Sequence, residues 1–416
     1  MPEPHTPRAA SPLSPALLAA APHRLLFFVG ACNVLLAMAW WLAWLVDARW
    51  HLIGLPTDVP WAGWMHALVM QYQLLPPFMF GFLLTVFPRW MGLPELSRWH
   101  YVPVGAGLFG GQLAMLGGML LGQPAMVFVG VLMSAAGWGH GLVQLLRLLL
   151  AERSAGKGPT WHAWSAFTAM ALGLAGLLCM LAWLFDAGPW PVFIAIKLGS
   201  FGLLLPIYFT VAHRMFPFFA GNVVVGYIPW RPSWLLAAMW GLLLVHLGLE
   251  LAHAYPWLWP VDATLAAGSA WVLWRWWPRN PAPGLLWVLF AGFAWLPAAF
   301  ALYATQSALY AITGEFLLGR GPAHALYIGF FGSLLVAMVT RVTQGHSGQP
   351  LAMPPTGWFA FAMLQLVAVV RIGSEVAADA LAWDAVAAAG WLLAFLPWVL
   401  RSAAIYLRPR ADGRPG

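Results

Sequence analysis

Residues 62–87 read AGWMHALVMQYQLLPPFMFGFLLTVF, a run without a single Asp, Glu, Lys or Arg. About 20 predominantly apolar residues in a helix cross the hydrocarbon core of a bilayer. An uncharged stretch of this length therefore predicts a membrane span. Pro76 and Pro77 sit near its middle, where a proline removes a backbone donor and breaks the helical ladder. That break either opens room for a ligand or only kinks the helix.

Stretches of the same character recur along the chain. Their boundaries are 25–46, 62–87, 101–122, 125–149, 161–184, 190–211, 231–253, 257–277, 284–307, 322–342, 357–376 and 385–406. The seams carry turn residues, as in Gly122-Gln123-Pro124, Arg279-Asn280-Pro281 and Arg320-Gly321-Pro322. The expected fold is an all-α polytopic membrane protein of about twelve transmembrane helices. Residues 23–408 would form one membrane domain, with a disordered cytoplasmic tail at 1–22 and a second cytoplasmic tail at 409–416. Composition agrees: 62% of the residues are hydrophobic and 8% are charged, against roughly 25% charged in soluble domains. The 28 tryptophans suit the headgroup zone. The apolar run Ala16–Ala21 is too short for a secretory signal and lacks a basic flank.

The net charge of +7 comes from basic residues spread singly between the apolar segments, which points to membrane orientation and away from nucleic acid. With the N-terminus inside, only Arg49, Lys197, Arg320 and Arg371 fall on the outer half; the other basic residues lie inside. An even number of spans returns the C-terminus to the cytoplasm. Cys32 and Cys179 lie singly within apolar stretches, where helix packing explains them and a disulfide framework does not. Gly105, Gly107, Gly110 and Gly111 allow close helix approach. Paired carboxylates for hydrolysis, Ser-His-Asp spacing and a phosphate loop are all absent, so no residue is assigned a catalytic role.

A weak repeat is visible. Thr85, Thr210 and Thr340 each precede an arginine by one to four residues (Arg89, Arg214 and Arg341) at the ends of the second, sixth and tenth segments. The intervals between these arginines, 125 and 127 residues, predict three four-helix units.

Ionisable side chains inside a span are costly and mark function by default. His5, His23, His51, His100 and His162 lie in or beside loops and are expected to be solvated. His66, His246, His253 and His324 fall at one depth near the outer ends of three segments, and neutral imidazole is a common metal and haem ligand. His246 and His253 are expected on one helix face with Glu250 between them. Lys197 and Arg371 are buried cations. Arg371 has Glu375 four residues on, which allows a structural ion pair, and either cation could instead neutralise a haem propionate. Lys197 precedes Arg214 by seventeen residues, as His324 precedes Arg341, so the repeat makes the two equivalent.

The chain resembles the NnrS family of bacterial inner-membrane haem- and copper-containing proteins of the nitric oxide response. The resemblance rests on Phe80-Gly81-Phe82-Leu83-Leu84-Thr85 through Pro88, Trp90 and Gly92, and on His324-Ala325-Leu326 through Met338, Thr340 and Arg341 to Gly345-His346-Ser347-Gly348. Arg214-Met215-Phe216-Pro217-Phe218-Phe219 and the early Pro22-His23-Arg24 also fit. It implies a multi-pass inner-membrane protein that binds haem b through His66 and His324 and responds to nitric oxide or to nitrosative stress. Its partners would be nitric oxide or an electron-transfer protein, besides lipid. It also implies an arrangement like haem–copper oxidase subunit I, whose low-spin haem lies between helices 2 and 10. Leu68 and Val69 stand where the family pattern has a second His and a Glu, which removes two donors from a copper site there. Two other readings accommodate the same helices: a secondary transporter using Lys197, Arg371 and Glu250, or a membrane scaffold without cofactor.

Overall fold

The computed structural model describes residues 13–56 and 62–413; residues 1–12 and 414–416, within the two expected tails, lie outside that description. Eleven helices are long and apolar enough to cross a membrane among the described residues. In chain order the spans are α1 (Pro22–Trp50), α2 (Ala62–Met91), α3 (Arg98–Leu121), α4 (Pro124–Ser154), α5 (Trp161–Leu184), α6 (Trp190–Val223) and α7 (Ser233–Leu251). There follow α8 (Trp259–Trp276), α9 (Gly284–Thr313), α10 (Gly321–Ser347), α11 (Pro355–Gly373) and α12 (Ala380–Tyr406). The least apolar, α8, carries Asp262 and Arg275 and completes the expected twelve. The chain is a polytopic helical membrane protein.

Burial sorts these helices into two classes. The most apolar stretches of α2, α6 and α10 are 89%, 67% and 78% buried inside the protein, against 33–56% for the other eight apolar spans. Three helices thus form an inner shell while the rest leave much of their surface to lipid. The outer helices close around them, with α1 packing on α12 and on both α2 and α3. The tightest outer contact, α3 on α4, uses the expected glycines. A Cβ on Gly107 would come within 2.6 Å of the Gly137 Cα, and one on Gly111 within 2.6 Å of the Gly130 carbonyl. Small residues let backbones meet this closely in a membrane, where no hydrophobic driving force separates helix from lipid.

The threefold repeat is written into the backbone of the inner shell. Each inner helix carries one π-helical stretch: Met70–Leu74 in α2, Leu198–Leu204 in α6 and Ala325–Gly332 in α10. They begin 128 and then 127 residues apart, at 70, 198 and 325. A π turn loosens the hydrogen-bond ladder, and such turns cluster at functional sites. Backbone groups freed in hydrocarbon must find partners, and buried polar side chains supply them. Asn33 Nδ2 donates to the Gln73 carbonyl at 2.7 Å, Tyr72 Oη to the Ala195 carbonyl at 2.5 Å, and Gln71 Nε2 to the Ile196 carbonyl at 3.1 Å. Pro76 and Pro77 restart the α-helix just past the first π turn, at the two positions where a missing N–H costs nothing.

The arginines that mark the repeat stack across it. Arg214 of α6 lies 4.2 Å from the ring centroid of Trp90 in α2, and Arg341 of α10 lies 3.8 Å from Phe219 in α6. At the same end, stretches expected to be tails are tied down. Pro15–Ala20 forms a 3₁₀ helix whose Ala19 carbonyl accepts from Tyr101, and Ser14 N donates to the Leu407 carbonyl. Arg410 donates to the His346 carbonyl at 2.9 Å.

Candidate functional site

At the end of the inner shell opposite these arginines, α2, α6 and α10 enclose a cavity whose empty volume, including the part open to solvent, is about 1570 Å³. His66, Lys197, His324 and Arg371 all line it. Four residues scattered over three hundred positions thus share one cavity, three of them from the inner helices and Arg371 from α11. Lys197 and His324 each stand directly before a π turn, at equivalent places in their repeats.

The two histidines are held differently. His324 Nδ1 lies 2.9 Å from the Arg320 carbonyl. A carbonyl only accepts, so Nδ1 carries the proton and the Nε2 lone pair remains for a ligand. The ring of His66 stacks on Trp41 at 4.0 Å between centroids, with 15° between the planes, and its Nδ1 is buried without a hydrogen-bond partner among the described residues.

The two expected cations are already paired. Arg371 meets Glu375 at 2.7 Å and Asp384 at 3.1 Å, so the structural ion pair anticipated from the sequence is present and extended by a second carboxylate. Lys197 Nζ meets Glu250 at 2.8 Å. Arg320, missed as a site residue because it reads as a turn beside Gly321-Pro322, also lines the cavity. Its sequence signals are its place among the four basic residues of the outer half and its position four residues before His324. The floor was missed as well: Gln71, Ser200 and Tyr327, one from each π turn, hydrogen-bond to one another, with Gln71 Nε2 donating to Ser200 Oγ at 3.1 Å. Their separations of 129 and 127 residues are visible in the sequence, but not that they touch. Below the floor lies an apolar cavity lined by Phe27, Phe78, Leu83, Val211, Leu335 and Met338.

The expected four-histidine cluster is not formed. His246 is fully buried behind the cavity wall, with Nδ1 2.6 Å from Asp262 Oδ1 and Nε2 3.6 Å from Glu250 Oε1. His253 departs because α7 stops at Leu251. It adopts the left-handed conformation (φ 52°) just past the helix, turns away from the face that carries His246, and is bound to Tyr255 Oη at 2.5 Å. Among the described residues no three His, Cys, Asp or Glu side chains converge to hold a metal ion.

Two loop histidines expected to be solvated are instead paired at the arginine-rich end. His23 is buried with its ring 4.3 Å from that of His346, which joins the first and last family-like motifs of the chain. His162 Nε2 lies 2.8 Å from His213 Nδ1. In both pairs, helix ends remote in sequence close over histidines that a linear reading places in water.

No curated protein matches the chain. The family model described as NnrS protein matches residues 17–410, nearly the whole length and all twelve spans. The chain belongs to the NnrS protein family.

Proposed function

We propose that this protein is a haem b protein of the nitric oxide response, seated in the bacterial inner membrane with both termini in the cytoplasm. The observation that carries the reading is that His66 and His324, from different inner helices, line one cavity together with Lys197, Arg320 and Arg371. Two imidazoles suit the axial positions of a haem iron, and cations around them suit its two carboxylates. The orphaned His66 Nδ1 and the fixed tautomer of His324 fit that role. When bound, haem b would supply an iron able to bind nitric oxide or to pass one electron.

The protein's own groups set the terms. The Arg320 carbonyl holds His324 in one orientation, whereas His66 has only its stack on Trp41. His66 is therefore the less restrained of the two rings that would hold the haem. Because Lys197 and Arg371 are already ion-paired, Arg320 is the cation best able to meet a carboxylate without breaking another contact. Copper is not part of this reading: Leu68 and Val69 supply no donor beside His66, and His246 lies behind the cavity wall, bound to Asp262.

A transporter reading draws on the Lys197–Glu250 pair beside the cavity. Transporters are commonly built from two related halves, whereas here three π turns repeat around one axis. The test is the absorption spectrum of the detergent-purified protein, oxidised and dithionite-reduced, beside His66→Ala and His324→Ala. A b-type spectrum lost in both variants is expected. A folded but colourless wild-type protein, expressed with ample haem, would sink the reading.

A further inference from the structure

Behind the histidine-lined cavity runs a chain of ionisable groups of which only Lys197 also lines the proposed haem site. Lys197 Nζ of α6 meets Glu250 Oε2 of α7 at 2.8 Å; Glu250 Oε1 faces His246 Nε2 at 3.6 Å; His246 Nδ1 meets Asp262 Oδ1 of α8 at 2.6 Å. His246 and Asp262 are fully buried and Glu250 is 4% exposed. Chains of Asp, Glu and His within a membrane mark proton pathways.

Charge counting makes the case specific. With both carboxylates ionised and Lys197 protonated, the chain carries one net negative charge if His246 is neutral. A buried uncompensated charge is costly, and one more proton, on His246 or on a carboxyl, cancels it. The hydrogen bonding leaves that proton a place to move. Both His246 Nε2 and Asp262 Oδ2 are buried without a hydrogen-bond partner, and 3.6 Å is too long for one.

The chain also sits between two spaces. Glu250 and Lys197 line a second, more polar cavity with Tyr255, Gln306 and Ser307. Lys197, Tyr303 and Arg320 line both that cavity and the histidine-lined one. Lys197 is the only member of the chain in contact with both.

We propose that Lys197, Glu250, His246 and Asp262 form a proton-exchange site that holds one proton beyond the ionised minimum and passes it from the polar cavity to the histidine-lined cavity. In each cycle Lys197 gives a proton to an anionic oxygen held in the histidine-lined cavity, such as the carboxylate of a bound cofactor, and becomes a neutral amine. His246 Nε2 then gives its proton to Glu250 Oε1 as the side chains close the gap, and the carboxyl turns and hands that same proton to Lys197, which leaves Glu250 ionised and His246 neutral. Water in the polar cavity then restores the proton to the chain at Glu250, from which it returns to His246. Asp262 stays ionised and keeps the imidazole oriented through Nδ1. The other titratable groups packed around the chain are Tyr255, Tyr303, Tyr327 and Arg320.

The site stands on its own geometry; only the identity of the acceptor rests on the haem reading. The experiment is an infrared pH titration of the full-length purified protein in H₂O and D₂O, between about pH 5 and pH 8. One carboxyl or imidazolium band that titrates as a single proton and shifts in D₂O is expected. It should be lost in Glu250→Gln, and in Lys197→Gln its proton should bind at least tenfold more tightly, because the neighbouring positive charge is gone. No titrating band, with identical wild-type and Glu250→Gln spectra, would overturn the proposal and leave a fixed ion pair. In haem-loaded protein the reduction potential should follow pH, and that dependence should flatten in Glu250→Gln. A titrating band beside a potential independent of pH would overturn delivery to the cavity. A colourless protein would sink the haem reading while the infrared result still decides the site.

Discussion

At the scale of single residues, partners decide what a charge does. Asp379 lies just before α12, caps it by accepting from Ala382 N, and takes a hydrogen bond from Arg49 at the end of α1. The Arg49 guanidinium first, and the Ala382 amide second, hold its carboxyl below its ordinary value. A depressed carboxyl stabilises the fold above its unfolded value, about 3.9 for Asp, and loses that contribution as pH falls through the folded value. Asp379→Asn keeps the cap and removes the charge. In detergent it should melt slightly below wild type at neutral pH, and the difference should vanish in strong acid; a difference that grows on acidification would contradict the assignment. The cations Arg371 and Lys197 are likewise defined by the carboxylates they meet. Glu375 was legible from the sequence because i, i+4 spacing on a helix puts two side chains on one face. Asp384 and Glu250 were not, because they come from other helices.

At the scale of elements, the inner helices carry the irregular backbone and the outer ones carry close packing. The prolines of α2 announced a break in the sequence, but the π turn before them, and those of α6 and α10, left no such mark. Their wide turns are held by side chains from neighbouring helices, such as Asn33 and Tyr72. The end of α7 was misjudged for a local reason. Apolar composition continues to His253, while the Ala254 amide already bonds back to the Leu249 carbonyl and closes the helix. The glycines of α3 were legible because only a missing side chain lets two membrane helices touch. Gly107→Ala places a Cβ 2.6 Å from the Gly137 backbone, where neither helix can yield without shifting. It should cost about 1–3 kcal/mol, as overpacking does, measured by unfolding in detergent. A neutral effect would mean that α3 and α4 do not pack this way.

At the scale of the molecule, three inner helices surrounded by nine give one axis with histidines at one end and stacked arginines at the other. In the proposed orientation, which follows the basic bias, the arginine-rich end faces the cytoplasm. Against a background with Cys32 and Cys179 replaced by Ser, Glu315→Cys before α10 should react with an impermeant maleimide in intact cells. Ser154→Cys after α4 should react only once the membrane is opened. The reverse pattern would invert the orientation. The packing of α1 on α12 brings the start of the first span and the end of the last together at the arginine-rich end, where Ser14 N donates to the Leu407 carbonyl.

The sequence by itself determined the solvent of this protein, its family-like motifs and its spans to within a turn or two, apart from the end of α6, which runs on to Val223. Each follows from local composition: an uncharged run of about 20 residues has no other low-energy home than a membrane. It also singled out His66, His324, Lys197 and Arg371, since an ionisable residue in such a run is conspicuous wherever it points. Only the tertiary structure decided which of these meet. It put those four on one cavity, engaged His246 between two carboxylates, set His253 beyond its helix and added Arg320, Gln71, Ser200 and Tyr327. The physical reason is that helical periodicity tells which face a residue occupies, while the partner of that face is set by how three distant helices pack around a common axis.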